Sequence, residues 1–142
     1  MTSHLRFFCI LGSIVFVMGC GPAGPKTART IGKVTYKSQP VKFGSIIFQP
    51  EAGKVASSVI KSDGTFDLGT NQPGDGAIIG KHRVRVVSLS SQDPSFQVKE
   101  GQEMPTGKSL IPEKYNDFDT TPLKDYEVKE QSENVFNIEL VD

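Results

Sequence analysis

The strongest constraint on the fold is a run of alternating side chains between residues 60 and 89. Phe66 and Leu68 flank a polar residue, and alternation resumes over residues 81–86, after the glycine-rich segment 73–76. Side chains with a period of two face opposite sides of a β-strand. A strand interior does not tolerate Pro-Gly-Asp-Gly, so 73–76 predicts a loop. The stretch predicts two strands of a sheet with one buried and one solvated face.

A tight turn is predicted just before this pair of strands. The sequence Ser-Asp-Gly-Thr occupies residues 62–65. The Asp63 carboxylate can accept a hydrogen bond from the backbone two residues on, and Gly64 can adopt positive φ without a steric penalty.

Five further segments alternate in the same way, with turn signals between them. They cover residues 29–37, 43–49, 55–61, 123–129 and 135–141, and Ser-Gln-Pro at 38–40 is the first predicted turn. A chain of 142 residues is long enough for one compact domain. Seven short strands without a convincing helix predict an all-β fold, a seven-stranded antiparallel β-sandwich. A small closed barrel is the alternative.

The alternation fails between about residues 90 and 122. A structureless loop of that length is uncommon in a compact domain, so we expect local order. Residues 95–98 predict a short edge strand. Residues 111–115 predict a single helical turn, because Pro and Glu stand where a helix begins.

The N-terminus has the pattern of an export signal. Residues 1–6 are mildly basic, and residues 7–18 form an apolar run interrupted only by small residues. That run is shorter than the roughly 20 apolar residues that a membrane-spanning helix needs. We therefore interpret residues 1–19 as a signal peptide.

The end of this segment suggests a cleavage site and a lipid site. Val17-Met18-Gly19-Cys20 resembles the lipobox of bacterial lipoproteins, in which cleavage precedes a cysteine that carries lipid. The resemblance implies cleavage between Gly19 and Cys20 and acylation of Cys20. The alternatives are an ordinary secretory signal with a coincidental cysteine and a buried N-terminal helix.

These assignments divide the chain and predict its location. Residues 20–28 are rich in Gly and Pro and predict a flexible tether, and residues 29–142 form the folded domain. Cys9 lies in the signal, so the mature chain has no intramolecular disulfide. We expect export and anchoring to membrane lipid through acylated Cys20 in the bacterial cell envelope. Gly21 is not the Asp associated with inner-membrane retention, which favours the outer membrane.

Charge gives no indication of a polyanionic partner. The chain has 16 Lys and Arg residues and 16 Asp and Glu residues. Nucleic-acid binding usually needs a basic surface, so we expect no nucleic-acid partner. The sequence also indicates no cofactor.

Several short motifs of the domain are typical of one family. They lie at residues 31–36, 39–41, 44–46, 62–66, 73–86, 111–115 and 120–123. In these motifs the chain resembles carboxypeptidase regulatory-like, or transthyretin-like, domains, and most of all small bacterial lipoproteins of that group. The resemblance implies a seven-stranded sandwich in two sheets that acts as an accessory or binding module without catalytic residues.

His82 is the one histidine that remains after signal removal. A Ser-His-Asp hydrolase would need it as the base, but it lies in a predicted strand and the chain has no Gly-x-Ser-x-Gly motif. Hydroxyisourate hydrolase, which resembles transthyretin, uses several His and Arg residues and a Tyr-Arg-Gly-Ser C-terminus that this chain lacks. We therefore predict a packed or edge histidine and no enzyme.

The loop after residue 111 holds the candidate ligand-binding residues Tyr115, Asp117 and Asp119. Tyr115 is a candidate aromatic platform for a sugar. Residues 116–121 place oxygen atoms at alternate positions, as calcium loops do, but lack the glycine and glutamate of an EF-hand, so no metal site is predicted. The row of Lys81, Arg83 and Arg85 predicts a solvated sheet face or a protected edge.

The leading functional hypothesis is a membrane-anchored envelope lipoprotein. Its β-sandwich would be a non-catalytic structural or protein-interaction module with another envelope protein as partner. The alternative is a lipoprotein that binds a sugar or peptide, with the loops 71–79 and 92–121 as the site.

Overall fold

The computed structural model describes residues 24–98, 100–103 and 105–142. Within these ranges it contains ten β-strands and two 3₁₀ turns. The strands are β1 (Thr27–Ala28), β2 (Thr30–Tyr36), β3 (Gln39–Pro40), β4 (Ser45–Pro50), β5 (Ala56–Val59), β6 (Thr65–Asp67), β7 (Ala77–Ile78), β8 (Gly80–Val87), β9 (Tyr126–Val128) and β10 (Asn134–Leu140). The 3₁₀ turns are Ser90–Gln92 and Glu113–Tyr115, and the second confirms the helical turn predicted at 111–115.

Eight of the strands form two four-stranded sheets. In the first sheet β10 lies on one side of β2, and β3 and β6 lie on the other. In the second sheet the order is β5-β4-β8-β9 and every pair is antiparallel. The remaining strands, β1 and β7, pair with each other. The chain is therefore all-β, as predicted.

One pairing differs from the predicted antiparallel arrangement. β2 and β10 run parallel over seven residues, from the pair Thr30 and Asn134 to the pair Tyr36 and Leu140. The two strands lie about a hundred residues apart in the chain. Period-two alternation specifies which face of a strand is buried but not the direction of its neighbour.

A single hydrophobic core lies between the two four-stranded sheets. The Phe48 ring in β4 lies 5.8 Å from the Phe136 ring in β10 and 6.3 Å from the Phe66 ring in β6. The fully buried aliphatic side chains around them are Val34, Ile46, Leu68, Val84, Val86, Ile138 and Leu140. Burial of each such side chain contributes roughly 1.5–3 kcal/mol. The inward faces predicted for β4, β8 and β10 are confirmed.

The turn that precedes β6 forms as predicted. The Asp63 carboxylate accepts hydrogen bonds from the backbone N–H of Thr65 at 2.9 Å and from its hydroxyl at 2.7 Å. Gly64 has a φ of +84°. These contacts lower the pKa of Asp63, chiefly through the hydroxyl hydrogen bond, and they reverse the chain between residue 61 and β6.

The start of the domain differs from the prediction. Thr27 and Ala28 lie within the predicted tether but form β1, and Ala28 is buried against the core. Pairing with β7 holds them, because β7 follows a glycine loop that brings it beside the incoming chain. The predicted signal peptide, with Gly19 and Cys20, lies outside the described residues.

Two further local predictions are wrong. Residues 95–98 form no strand, and the turn predicted at 38–40 is centred on Lys37 and Ser38, which have positive φ. The shift lets Gln39 and Pro40 pair with β2 as β3. With the two-residue strands β1, β3 and β7 included, the described residues contain ten strands rather than seven.

Candidate functional site

The loop before β7 is held in one conformation by the carboxylate of Asp75. Oδ1 accepts the backbone N–H of Thr70 at 2.6 Å. Oδ2 accepts the N–H groups of Asn71 at 3.0 Å and Gln72 at 3.2 Å. Burial raises the pKa of Asp75, but these three hydrogen bonds outweigh it, so the pKa lies below its usual value. The loop is therefore preorganised.

A groove of about 460 Å³ lies between this loop and the edge of β5. Its floor is fixed where Ser57 in β5 and Gly69 exchange two backbone hydrogen bonds of 3.0 Å each. Gly69 has no room for a side chain, because an added Cβ would lie 2.4 Å from the Gln72 carbonyl oxygen. Backbone contacts rather than flexible side chains set the shape of this groove.

The groove presents hydroxyl and amide groups. Its lining residues include Ser45, Ser57, Thr70, Asn71 and Gln72, one carboxylate residue, Asp67, and the apolar Val59 and Pro73. Thr70 donates its hydroxyl to the Gly76 carbonyl at 2.7 Å, and Asn71 accepts a hydrogen bond from Lys54 at 3.1 Å. Such groups can orient a small neutral polar ligand. Of these residues the sequence prediction contained only those of the 71–79 loop, since isolated serines on a strand give no signal.

Tyr115 is not an exposed platform. Its side chain is 1% exposed and lies in the core. The hydroxyl donates to the Val141 carbonyl at 3.0 Å and accepts from the Val141 N–H at 2.9 Å. The predicted sugar-stacking role is therefore wrong, because the ring fills the space beside the end of β10 and its polar atom is used internally.

Asp117 and Asp119 have local partners. The carboxylate of Asp117 accepts the backbone N–H of Asp119 at 2.8 Å, which forms a turn. Asp119 forms an exposed ion pair with Arg83 at 2.7 Å. No cluster of three or more potential metal-ligating side chains occurs within the described ranges. Both aspartates face solvent but do not converge with Tyr115 on a cavity.

The two loops proposed as a single ligand site lie apart. Residues 71–79 lead directly into the first residue of β8, whereas residues from 92 onward follow its last. An eight-residue strand spans roughly 23 Å. Residues 113–119 then run back beside β8. None of the described residues of 92–110 lines the groove beside β5, so the groove is formed by only one of the two predicted loops.

The outward row of basic residues on β8 is partly covered. The Phe118 ring lies 5.5 Å from the guanidinium of Arg83 and 5.0 Å from that of Arg85. Arg85 also donates to the Asn116 carbonyl at 3.2 Å. Arg83 is exposed, as predicted for a solvated face, whereas Arg85 is partly buried. Both arginines hold the 113–119 segment beside β8 through cation–π and hydrogen-bond contacts. Lys81 is exposed.

His82 is packed in the core, as predicted. It is 1% exposed, and its ring lies 5.8 Å from the Phe48 ring. The Nδ1 atom lies 3.0 Å from the Gly80 carbonyl. Burial lowers the pKa of His82 because the interior disfavours the charged ring. His82 is among the residues that border a small pocket with Lys81 and Asp125, but its side chain has almost no solvent-exposed surface.

Comparison with known proteins gave no relative from which a site could be transferred. No family model matches the chain, and searches of curated proteins and of solved structures found no match. Among the described residues, no helix has both the length and the hydropathy needed to cross a bilayer.

Proposed function

We propose that this protein is an exported lipoprotein of the bacterial envelope, held on the membrane by acylated Cys20 after cleavage between Gly19 and Cys20. Its β-domain, a transthyretin-like sandwich built around seven principal strands, is a non-catalytic structural or interaction module. Its partner is another envelope protein. Outer-membrane attachment is favoured where two membranes exist, because Gly21 is not aspartate.

The observation that carries the proposal is the Val17-Met18-Gly19-Cys20 motif, and the way the chain enters the domain shows what an anchor there would do. The backbone carbonyl of Lys26 accepts a hydrogen bond from the Ile79 N–H at 3.1 Å. The side-chain ammonium group of Lys26 forms an ion pair with Glu130 at 2.8 Å. β1 follows at once. Six residues, 21–26, separate Cys20 from β1, and a chain of that length reaches at most roughly 20 Å. An anchor at Cys20 would therefore hold this end of the sheets close to lipid headgroups.

The environment of His82 supports a non-catalytic role. A general base must reach a substrate proton, and this ring is enclosed by the core and bonded to its own strand. The groove beside β5 is lined mainly by hydroxyl and amide groups, and the Asp67 carboxylate in its lining is paired with Arg29 at 3.2 Å.

The anchor is tested by membrane fractionation of Cys20→Ala. We expect the variant to move from the membrane fraction to the soluble fraction, because loss of the acyl chains removes about 0.8 kcal/mol per buried methylene. Cys9→Ala is the matched control, since it removes a cysteine that the mature chain does not keep. Continued membrane association of Cys20→Ala, or a mature chain that retains residues 1–19 by mass spectrometry, would refute the proposal.

A second candidate function is binding of a small sugar or peptide in the groove beside β5. It is favoured by the fixed conformation that Asp75 gives to the loop at residues 70–72. Calorimetry with a panel of saccharides and short peptides tests it. Ser57→Trp should fill the groove and abolish the binding heat, whereas Ser132→Trp, in the exposed β9–β10 turn, should retain it. A panel without binding heat would remove this candidate.

A further inference from the structure

The outer edge of β10 carries backbone groups without partners in the described part of the chain. β10 pairs with β2 on one side, and no other strand pairs with it. The Asn134 N–H donates to the Arg29 carbonyl at 2.8 Å, so the backbone groups of Asn134 point toward β2. Alternate residues direct their N–H and C=O groups to opposite edges. Val135, Asn137 and Glu139 therefore direct theirs away from β2.

This set of three residues has a defined end on each side. The next outward position, Val141, already uses its N–H and C=O in hydrogen bonds with the Tyr115 hydroxyl. On the other side, the carbonyl of Glu133 accepts a hydrogen bond from the Gln131 side chain at 2.9 Å. The free groups are centred on Asn137, with one residue on either side of it in the outward series.

Apart from the exposed charge of Glu139, the edge lacks the features that usually prevent strands from pairing. β10 contains no proline, lysine or bulge, and its register with β2 is continuous over seven residues. The β5 edge, by contrast, is closed at Ser57 by Gly69. The side chains of Val135, Asn137 and Glu139 are exposed. An edge of this kind, with a single charge at one end of its outward series, offers a template for another strand.

We propose that the β10 edge pairs with β10 of a second copy of this chain. The two strands run antiparallel about a two-fold axis at Asn137, so that Asn137 meets the partner's Asn137 and Val135 lies opposite the partner's Glu139. Three residues per copy then exchange about six hydrogen bonds, and all of the outward groups are satisfied.

Symmetry allows the same edge of two copies to meet, and charge favours the antiparallel orientation of the two strands. The antiparallel register sets Glu139 against the partner's Val135, whereas a parallel register would place like charges directly opposite each other. The contact uses the same edge on both copies, so it closes at two and does not propagate. This partner goes beyond the proposed envelope function and does not depend on the lipid at Cys20.

The test uses the processed full chain in detergent and measures its monomer–dimer equilibrium by analytical ultracentrifugation. Asn137→Lys and Asn137→Asp each place like charges at the axis, so each should weaken the dimer about threefold to fivefold. An equimolar mixture of the two variants should restore the native dissociation constant. Val59→Lys, an exposed strand position on the other sheet, should leave it unchanged.

Hydrogen exchange of the unmodified protein gives a second measurement. The N–H groups of Val135, Asn137 and Glu139 should exchange more slowly at concentrations where the dimer dominates, and those of exposed loops should not change. A monomer at all concentrations would overturn the proposal, as would failure of the mixture to restore the dimer. A strand of a different protein cross-linked at residue 137 would also overturn it.

Discussion

Removal of a single buried hydroxyl should measure how strongly the 113–119 segment is attached to the first sheet. In Tyr115→Phe the ring still fills its place in the core, but both hydrogen bonds to Val141 are lost. A typical intramolecular hydrogen bond contributes about 0.5–1.5 kcal/mol net. The expected loss of unfolding free energy is therefore about 1–3 kcal/mol. A loss near 2 kcal/mol lowers Tm by roughly 6–12 °C for a domain of this size.

The assay is urea unfolding of the purified protein followed by circular dichroism. Tyr126→Phe is the matched control, because Tyr126 is half-buried against the same core and its hydroxyl has no hydrogen bond within the described residues. We expect the control to change stability by less than about 0.5 kcal/mol. Equal losses in the two variants, or no loss in Tyr115→Phe, would show that the Val141 contacts are not stabilising.

Three other positions give direct tests. The pKa of His82 is lowered in the folded state, so the unfolded chain binds a proton at this residue more readily than the folded chain does. The free energy of unfolding should therefore fall as pH drops below about 6.5. His82→Gln should flatten that pH dependence in urea titrations at pH 5 to 7. Gly76→Ala should reduce Tm severely, because the new Cβ would clash with the Ala28 carbonyl and the residue would also be strained at positive φ. Gly80→Ala, at positive φ but in open space, should cost only the backbone strain of about 1–3 kcal/mol. Asp75→Asn should cost about 1–3 kcal/mol in chemical unfolding, because an amide cannot accept all three loop N–H groups as a carboxylate does. A fully stable Asp75→Asn variant would show that the loop does not depend on that carboxylate.

The core could be predicted from the sequence wherever alternation was long and regular. Ile46 and Phe48, like Val84 and Val86, face inward because the period of two leaves one choice of face once the apolar residues are located. The turn at residues 62–65 was equally accessible, since Asp and Gly have specific backbone preferences.

The burial of Tyr115 could not be predicted from alternation. Tyr115 is a single aromatic residue in a polar segment, so no periodicity indicates whether it faces solvent or the core. Its burial is decided by the gap beside the distal half of β8, where β9 no longer pairs and a large side chain can enter. Local sequence also does not predict the separation of the two ligand loops, because that separation depends on which end of β8 each loop adjoins.

The Tyr115 hydroxyl affects both the stability of the domain and the length of the proposed pairing edge, because it occupies the backbone groups of Val141. In Tyr115→Phe the N–H and C=O of Val141 are released, so the free series on β10 grows from three outward residues to four. Folding should become weaker while the edge becomes longer. Under conditions where the variant remains folded, its dimer should therefore be at least as tight as that of the native chain. A dimer weakened in proportion to the lost unfolding free energy would instead mean that association depends on the 113–119 segment and not on the β10 edge.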